Sequence, residues 1–142
     1  MQRIILRKSP PDAAWGILPC SKCAVLTAIS MKASEIKPDP NYLGKPADIL
    51  LYYPPEYKLK AGGYATLNSM NKLVRGNLTV SKRVDYKRGE RPLLKDFLSE
   101  HPDPGDSTII CCLGHYIYAE GLIYYSFFEN FYDEVVAVWF LK

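Results

Sequence analysis

The stretch Ser107–Ser126, STIICCLGHYIYAEGLIYYS, decides the fold of this 142-residue chain. Residues 108–112 form an almost unbroken apolar run, which is typical of a central strand covered on both faces. Two runs of aromatic and β-branched residues follow, at 115–119 and 122–126, separated only by Glu120 and Gly121. Because a two-residue connection containing glycine joins antiparallel strands, the stretch predicts a buried strand followed by a hairpin.

The predicted turn also predicts which residues are opposed in the hairpin. With the loop at residues 120–121, the opposed pairs are Ala119 with Leu122, Ile117 with Tyr124, and His115 with Ser126. Opposed residues of an antiparallel pair share one face of the sheet. The titratable ring of His115 is therefore expected at a strand start, beside the Ser126 hydroxyl. A core histidine bonded to a backbone carbonyl is the alternative interpretation.

The composition and length limit the classes of protein to which the chain can belong. With 48% hydrophobic and 23% charged residues the chain is typical of a globular protein, and its length predicts one domain over residues 1–142. No stretch is long enough to span a bilayer, and the N-terminus has no signal-peptide pattern, so we expect a cytoplasmic protein, or one of the host cytoplasm if it is phage-encoded. In that compartment thiols are expected rather than disulfides at the four cysteines, Cys20, Cys23, Cys111 and Cys112.

The charge distribution is uneven along the chain. Eight basic residues against Asp85 and Glu90 give the segment 72–95 a local balance of +6. Such a segment is usually a solvated basic face, and an acidic partner or a nucleic-acid backbone is the alternative.

The early part of the chain predicts a helix that carries a reactive cysteine. Residues 25, 26, 29, 33 and 36 are apolar and recur at helical spacing. Ser21 is the expected N-cap, which places Cys23 in the first turn. Unpaired backbone amides and the positive end of the helix dipole stabilise a thiolate, so a cysteine there has a lowered pKa and is more nucleophilic.

Further elements follow from the same patterns. We expect an edge strand at 3–6, helices at 64–74 and 92–101, strands at 78–86 and 133–142, and a surface loop over most of 37–60. His101 is expected at the C-terminus of its helix, interacting with the dipole. Helices segregated from a late antiparallel sheet make an α+β domain.

The placement of one cysteine and one histidine suggests a chemistry. Cys23 at a helix start, followed much later by His115 at a strand start, is the arrangement that cysteine hydrolases need. The helix terminus would supply the activated sulfur and oxyanion amides, and the strand a rigid general base.

Local sequence adds a family resemblance that covers about half of the chain. The segment 22–30, KCAVLTAIS, resembles the nucleophile helix of small papain-like cysteine peptidases of the kind found in phage and bacterial genomes. The later half resembles the base-bearing half of the same group, in LKDFL at 94–98, HP at 101–102, DSTII at 106–110, GHYIY at 114–118 and GLIY at 121–124.

The resemblance implies a papain-like core in which an N-terminal nucleophile helix packs on a C-terminal antiparallel sheet. Cys23 would be the nucleophile and His115 the base, acting on a peptide, amide or isopeptide bond of a peptide or protein substrate without metal or cofactor. The family orients its imidazole with an aspartate or asparagine near position 125 or 126. This chain has Tyr125 and Ser126 there, so Ser126 or Asn130 is expected to hold the ring, and Asp133 also follows within reach.

Four alternatives stay open. A papain-like fold with a degraded triad would be a binding module, such as a phage or mobile-element protein that engages a host factor. A single-stranded nucleic-acid binder would stack bases on the strand tyrosines, with Phe127 and Phe128, beside the basic segment. The pair Cys20 and Cys23 is compatible with a redox pair, or with structural zinc if one of the adjacent cysteines 111 and 112 and His115 joined it.

Overall fold

The computed structural model describes residues 3–6, 21, 24, 25, 27–29, 46, 47, 66–126 and 129–142. The six described residues between 21 and 29 are helical. Two further helices are α1 (Leu67–Asn77) and α2 (Leu94–Glu100). The strands are β1 (Arg3–Leu6), β2 (Pro46–Ala47), β3 (Val80–Asp85), β4 (Ser107–Cys112), β5 (His115–Glu120), β6 (Ile123–Ser126) and β7 (Val135–Leu141). The α+β prediction is confirmed.

The strands form one sheet in the order β2-β1-β6-β5-β4-β7-β3. The five strands from β6 to β3 pair antiparallel, whereas β1 pairs parallel with β6 on one side and with β2 on the other. The prediction of an edge position for β1 is therefore wrong, because both of its sides carry ladder pairs. Of the surface loop predicted over most of 37–60, residues 46 and 47 form β2, and the other residues lie outside the described ones.

Each face of the sheet carries its own apolar cluster, as predicted for the central strand β4. We call one face the Trp139 face, which carries Ile109, Cys111, Tyr116, Tyr118, Tyr125, Ala137 and Trp139 and is covered by Met70, Leu73 and Val74 of α1 and by the helical residues Ala24, Val25 and Ala28. The other is the His115 face, which carries Ile110, Cys112, Ile117, Ala119, Tyr124, Val138 and Phe140 and is covered by Leu94, Phe97 and Leu98 of α2.

Both helices have ends that differ by a few residues from the expected ones. Thr66 caps α1 by accepting a hydrogen bond from the Ser69 amide at 3.1 Å, and the helix continues past Gly76 to Asn77. The second helix begins at Leu94 because Pro92 is already used by the sheet: its carbonyl accepts the Val135 amide at 2.8 Å.

The β5–β6 hairpin corrects the predicted register. Glu120 is opposite Ile123, and Ala119 is opposite Tyr124, so the two-residue loop is Gly121–Leu122 rather than Glu120–Gly121. Gly121 has a φ of +54°, and a Cβ there would lie 2.7 Å from the Pro102 carbonyl oxygen. The turn therefore places its glycine at the first loop position, where positive φ and close backbone approach both require it.

Candidate functional site

His115 lies where three strands end together. It is opposite Cys112 across the tight turn Leu113–Gly114, in which Gly114 has a φ of +74°. His115, Ile117 and Ala119 occupy every second position of β5 and therefore share one face of the sheet, which places the ring on the His115 face. The prediction that His115 opens a strand is confirmed.

A β-bulge shapes this end of the sheet. The pairing of β4 with β7 shifts between Cys111 and Cys112, so that Cys111 is opposite Ala137 and Cys112 is opposite Val135. Val136 is the extra residue, and Val135 consequently packs on the same face as Cys112. The bulge, which the sequence pattern does not reveal, sets the direction in which the loop 129–134 enters β7.

A chain of four polar side chains begins at the His115 ring. The Nε2 atom of His115 is 3.0 Å from the Ser126 Oγ atom, and the Ser126 hydroxyl donates to Asn130 Oδ1 at 2.5 Å. The Asn130 Nδ2 atom donates to Asp133 Oδ2 at 2.6 Å. The structure thus brings together three of the predicted site residues, His115, Ser126 and Asn130. Ser126 contacts the ring, and Asn130 is one hydrogen bond further away.

The contact between His115 and Ser126 forms although the predicted register is wrong. Continued by one residue pair from Tyr118 and Tyr125, the observed register places Ser126 opposite Ile117, two positions along β5 from His115. A shift of two residues keeps a side chain on the same face, and diagonal neighbours remain within reach.

The loop that carries Asn130 and Asp133 is held in place by backbone hydrogen bonds. The Asn130 amide donates to the Tyr124 hydroxyl at 3.1 Å, and the Asp133 amide donates to the Asn130 carbonyl at 3.0 Å. The first amides of α2 donate to the same loop, from Leu94 to the Asp133 carbonyl at 2.9 Å and from Lys95 to the Phe131 carbonyl at 3.0 Å. Residues from three elements therefore preorganise the polar chain. The role of the Tyr124 hydroxyl was not apparent from sequence.

The His115 imidazole is tuned toward its neutral form. Burial lowers the pKa of His115 from its ordinary value of 6.5, and the charge of Asp133 partly opposes that effect. A neutral imidazole at neutral pH accepts a proton, so the ring has the protonation state of a general base.

Cys112 is the thiol opposite His115, but it is not a candidate nucleophile. The residue is fully buried, and burial, followed by the charge of Asp133, raises the pKa of its thiol far above the ordinary value. Cys111 is also buried and packs on the other face, as expected for adjacent strand residues. Within the ranges described, no group of three or more His, Cys, Asp or Glu side chains is placed to hold a metal ion.

Cys23 itself, and Cys20, lie outside the described residues. The helical residues around Cys23 share a cluster with Trp139, on the face opposite to the His115 ring. Ser21 is itself helical, and its buried hydroxyl makes no hydrogen bond, so the prediction that Ser21 is the N-cap is wrong. An N-cap residue has non-helical backbone angles and uses its side chain to accept an amide of the first turn.

The second histidine has a structural environment. His101 is the C-cap residue of α2, in agreement with its predicted position. Its ring centroid lies 4.6 Å from that of Phe97 and 5.3 Å from that of Phe140. We therefore assign His101 to packing.

The basic segment does not form one continuous surface. Lys82 and Arg83 are adjacent on β3 and point to opposite faces, Lys82 over the Phe140 ring at 4.6 Å and Arg83 over the Trp139 ring at 5.1 Å. Arg83 also pairs with Asp85 at 2.9 Å. The strand tyrosines proposed as stacking platforms are buried, namely Tyr116, Tyr118, Tyr124 and Tyr125. These rings therefore offer no exposed face to a nucleobase.

In the described part of the chain, no helix is long and apolar enough to cross a membrane. Comparison of the sequence and structure with protein-family models, curated proteins and solved structures gave no match.

Proposed function

We propose that this chain is a thiol hydrolase with a papain-like core, in which Cys23 is the nucleophile and His115 the general base. The observation that supports the proposal most is the state of His115. Its ring is half-buried at a rigid strand end, its pKa is lowered by burial, and its Nε2 atom is bonded to a buried hydroxyl at 3.0 Å.

The chemistry would follow the usual course for a thiol and an imidazole. The imidazole takes the thiol proton as the Cys23 sulfur attacks the substrate carbonyl carbon. The carbon–nitrogen bond then breaks, and the imidazolium returns the proton to the leaving amine. Water, deprotonated by the same imidazole, hydrolyses the thioester and regenerates the thiol. The substrate class is a peptide, amide or isopeptide bond.

The group that would orient the His115 ring is the Ser126 hydroxyl, not a carboxylate or amide bonded directly to the ring. A neutral hydroxyl stabilises an imidazolium less than a carboxylate does. Ser126 is, however, backed by Asn130 and Asp133, which extends the polar chain to a negative charge. The arrangement thus provides an indirect version of the usual orienting contact.

The proposal carries one geometric condition. The described helical residues near Cys23 pack on the Trp139 face, whereas the His115 ring lies on the other face. The Cys23 sulfur must therefore reach the imidazole around the strand ends at Cys112 and His115.

That condition also supports a second candidate function, a papain-like scaffold that serves as a binding module. In this case Cys23 and His115 would be present but unpaired with each other, and function would depend on the surface.

The deciding experiment is the pH dependence of iodoacetamide labelling, located by peptide mass mapping. We compare the native chain with His115→Gln, which keeps a donor toward Ser126, and with His101→Gln as the matched control at the other histidine. Paired catalysis predicts fast labelling of Cys23 near neutral pH, slowed by His115→Gln alone.

Two outcomes would reject the enzyme. One is equal, slow labelling of Cys20 and Cys23. The other is fast labelling of Cys23 that His115→Gln leaves unchanged. Either leaves the binding module as the better account.

A further inference from the structure

The Asp133 carboxylate determines which group donates and which accepts in each hydrogen bond of the polar chain from His115 to Asp133. A carboxylate accepts hydrogen bonds and does not donate them. Because Asp133 Oδ2 lies 2.6 Å from the Asn130 amide group, the amide nitrogen must face Asp133. The amide oxygen then faces Ser126, and the single hydroxyl proton of Ser126 is donated to it at 2.5 Å.

This order determines which ring nitrogen of His115 is protonated. Since the Ser126 proton is directed to Asn130, the Ser126 oxygen can only accept from the His115 Nε2 atom at 3.0 Å. A neutral imidazole has one N–H group. The proton is therefore on Nε2, and Nδ1 is the nitrogen that takes up a proton.

We propose that Asp133 is a positioning residue for His115, acting through Asn130 and Ser126 along this one-way chain of hydrogen bonds. Its effect is to hold the ring in the Nε2–H tautomer. Its importance for catalysis rests on the proposed function, whereas its effect on the tautomer does not.

The surroundings of the chain support such a transmitted effect. Ser126 is 2% exposed and Asn130 is 5% exposed, so both intermediate links are shielded from water. Hydrogen bonds in a low-dielectric interior polarise one another, and bonds to an ionised group are short and strong. The anchored loop keeps Asp133 in reach of Asn130, because the Asp133 amide and carbonyl are both hydrogen-bonded.

A purely structural role is the competing explanation. In that case Asp133 would only fasten the Asn130 turn, and the His115 ring would be insensitive to its charge. The two explanations differ in what they predict for the ring nitrogens, and stability measurements would not separate them.

The test is a ¹⁵N NMR titration of the histidine ring nitrogens in the full chain. One variant is Ser126→Ala, which removes the oxygen that accepts from His115 Nε2. The other is Asp133→Asn, which keeps the side-chain shape and removes the charge. Without the carboxylate, the Asn130 amide and the new amide at position 133 can each rotate by 180°. Asp96→Asn is the matched control, since Asp96 is an exposed carboxylate in the first turn of α2, near Lys95.

The neutral native chain should show His115 as the Nε2–H tautomer. Ser126→Ala should shift the tautomer ratio by about two- to tenfold, the range that one net hydrogen bond supports, and Asp133→Asn should shift it in the same direction. Asp133→Asn should also lower the His115 pKa, because it removes a charge that raises it. The Asp96→Asn chain should match the native one.

A native chain with the Nδ1–H tautomer would overturn the inference, whether or not the variants fold. So would an Asp133→Asn chain whose tautomer ratio and titration match those of Asp96→Asn. Slow labelling of Cys23 in a chain with the expected tautomer would instead reject the hydrolase and leave this inference intact.

Discussion

The two faces of the sheet bury different kinds of side chain. The Trp139 face is an aromatic layer in which Tyr118 and Tyr125 lie with ring centroids 5.7 Å apart, and Tyr116 and Trp139 lie 6.5 Å apart. The His115 face has a smaller apolar cluster, which includes Phe97, Tyr124 and Phe140, and at one end a buried chain of polar groups that ends on a carboxylate.

The two faces differ in the kind of interaction that each one buries. Apolar area removed from water stabilises the fold with little demand on direction, whereas a buried polar chain is favourable only when every donor finds an acceptor. Variants on the two faces should therefore have different effects.

The largest expected effect is on the Trp139 face. Trp139→Ala should lower the free energy of unfolding by about 3–5 kcal/mol, because it empties a fully buried site and removes the indole hydrogen bond to Asn71. Urea denaturation would measure the loss. The comparison of faces also predicts an unchanged His115 titration in conditions where the variant is folded, and a shifted titration would contradict it.

An intermediate effect is expected within the polar chain. Asn130→Ala should cost about 1–3 kcal/mol, since it leaves the Ser126 hydroxyl buried without its acceptor. The same denaturation series gives the value. Unlike Trp139→Ala, this variant should also change the His115 tautomer, and a stability loss alone would mean that the chain is only structural.

The sequence predicts which residues share a face of the sheet better than it predicts how the strands pair. Alternation along β5 and β6 places His115 and Ser126 on one face, and this survives an error of two residues in register because the side-chain period is two. The position of β1 inside the sheet and the bulge at Val136 depend on strand partners distant in sequence. No local pattern contains that information.

The pH dependence of the free energy of unfolding should carry a contribution from the His115 face. The folded pKa of His115 lies below its unfolded value of 6.5, so the unfolded chain binds more protons as the pH falls through 6.5. His115 therefore contributes stability that is fully present above that pH and is lost as the pH falls toward the folded pKa.

The measurement is the pH dependence of unfolding for the native chain and His115→Gln. The native chain should lose more stability than the variant between neutral pH and the folded pKa. Equal losses would show that the ring is not shielded as described, since carboxylates contribute alike to both chains.

The smallest effect is expected just outside the polar chain. Tyr132 is adjacent to Asp133, but it is 71% exposed. The Lys95 Nζ atom lies over its ring, 5.6 Å from the ring centroid. Tyr132→Ala should change stability by less than about 0.5 kcal/mol and leave the His115 tautomer unchanged. A shifted tautomer would mean that the whole loop, and not the hydrogen-bond chain, positions the ring.

The most direct test of the account is whether His115 responds to Cys23. We would follow the ring protons of His115 by NMR across pH in the native chain, in Cys23→Ser and in Cys20→Ser as the matched control. A thiolate beside an imidazole raises the imidazole pKa, so Cys23→Ser should lower the His115 pKa while Cys20→Ser leaves it unchanged. Identical titrations in all three chains would contradict the cysteine–histidine pair and favour a papain-like scaffold that binds rather than cleaves.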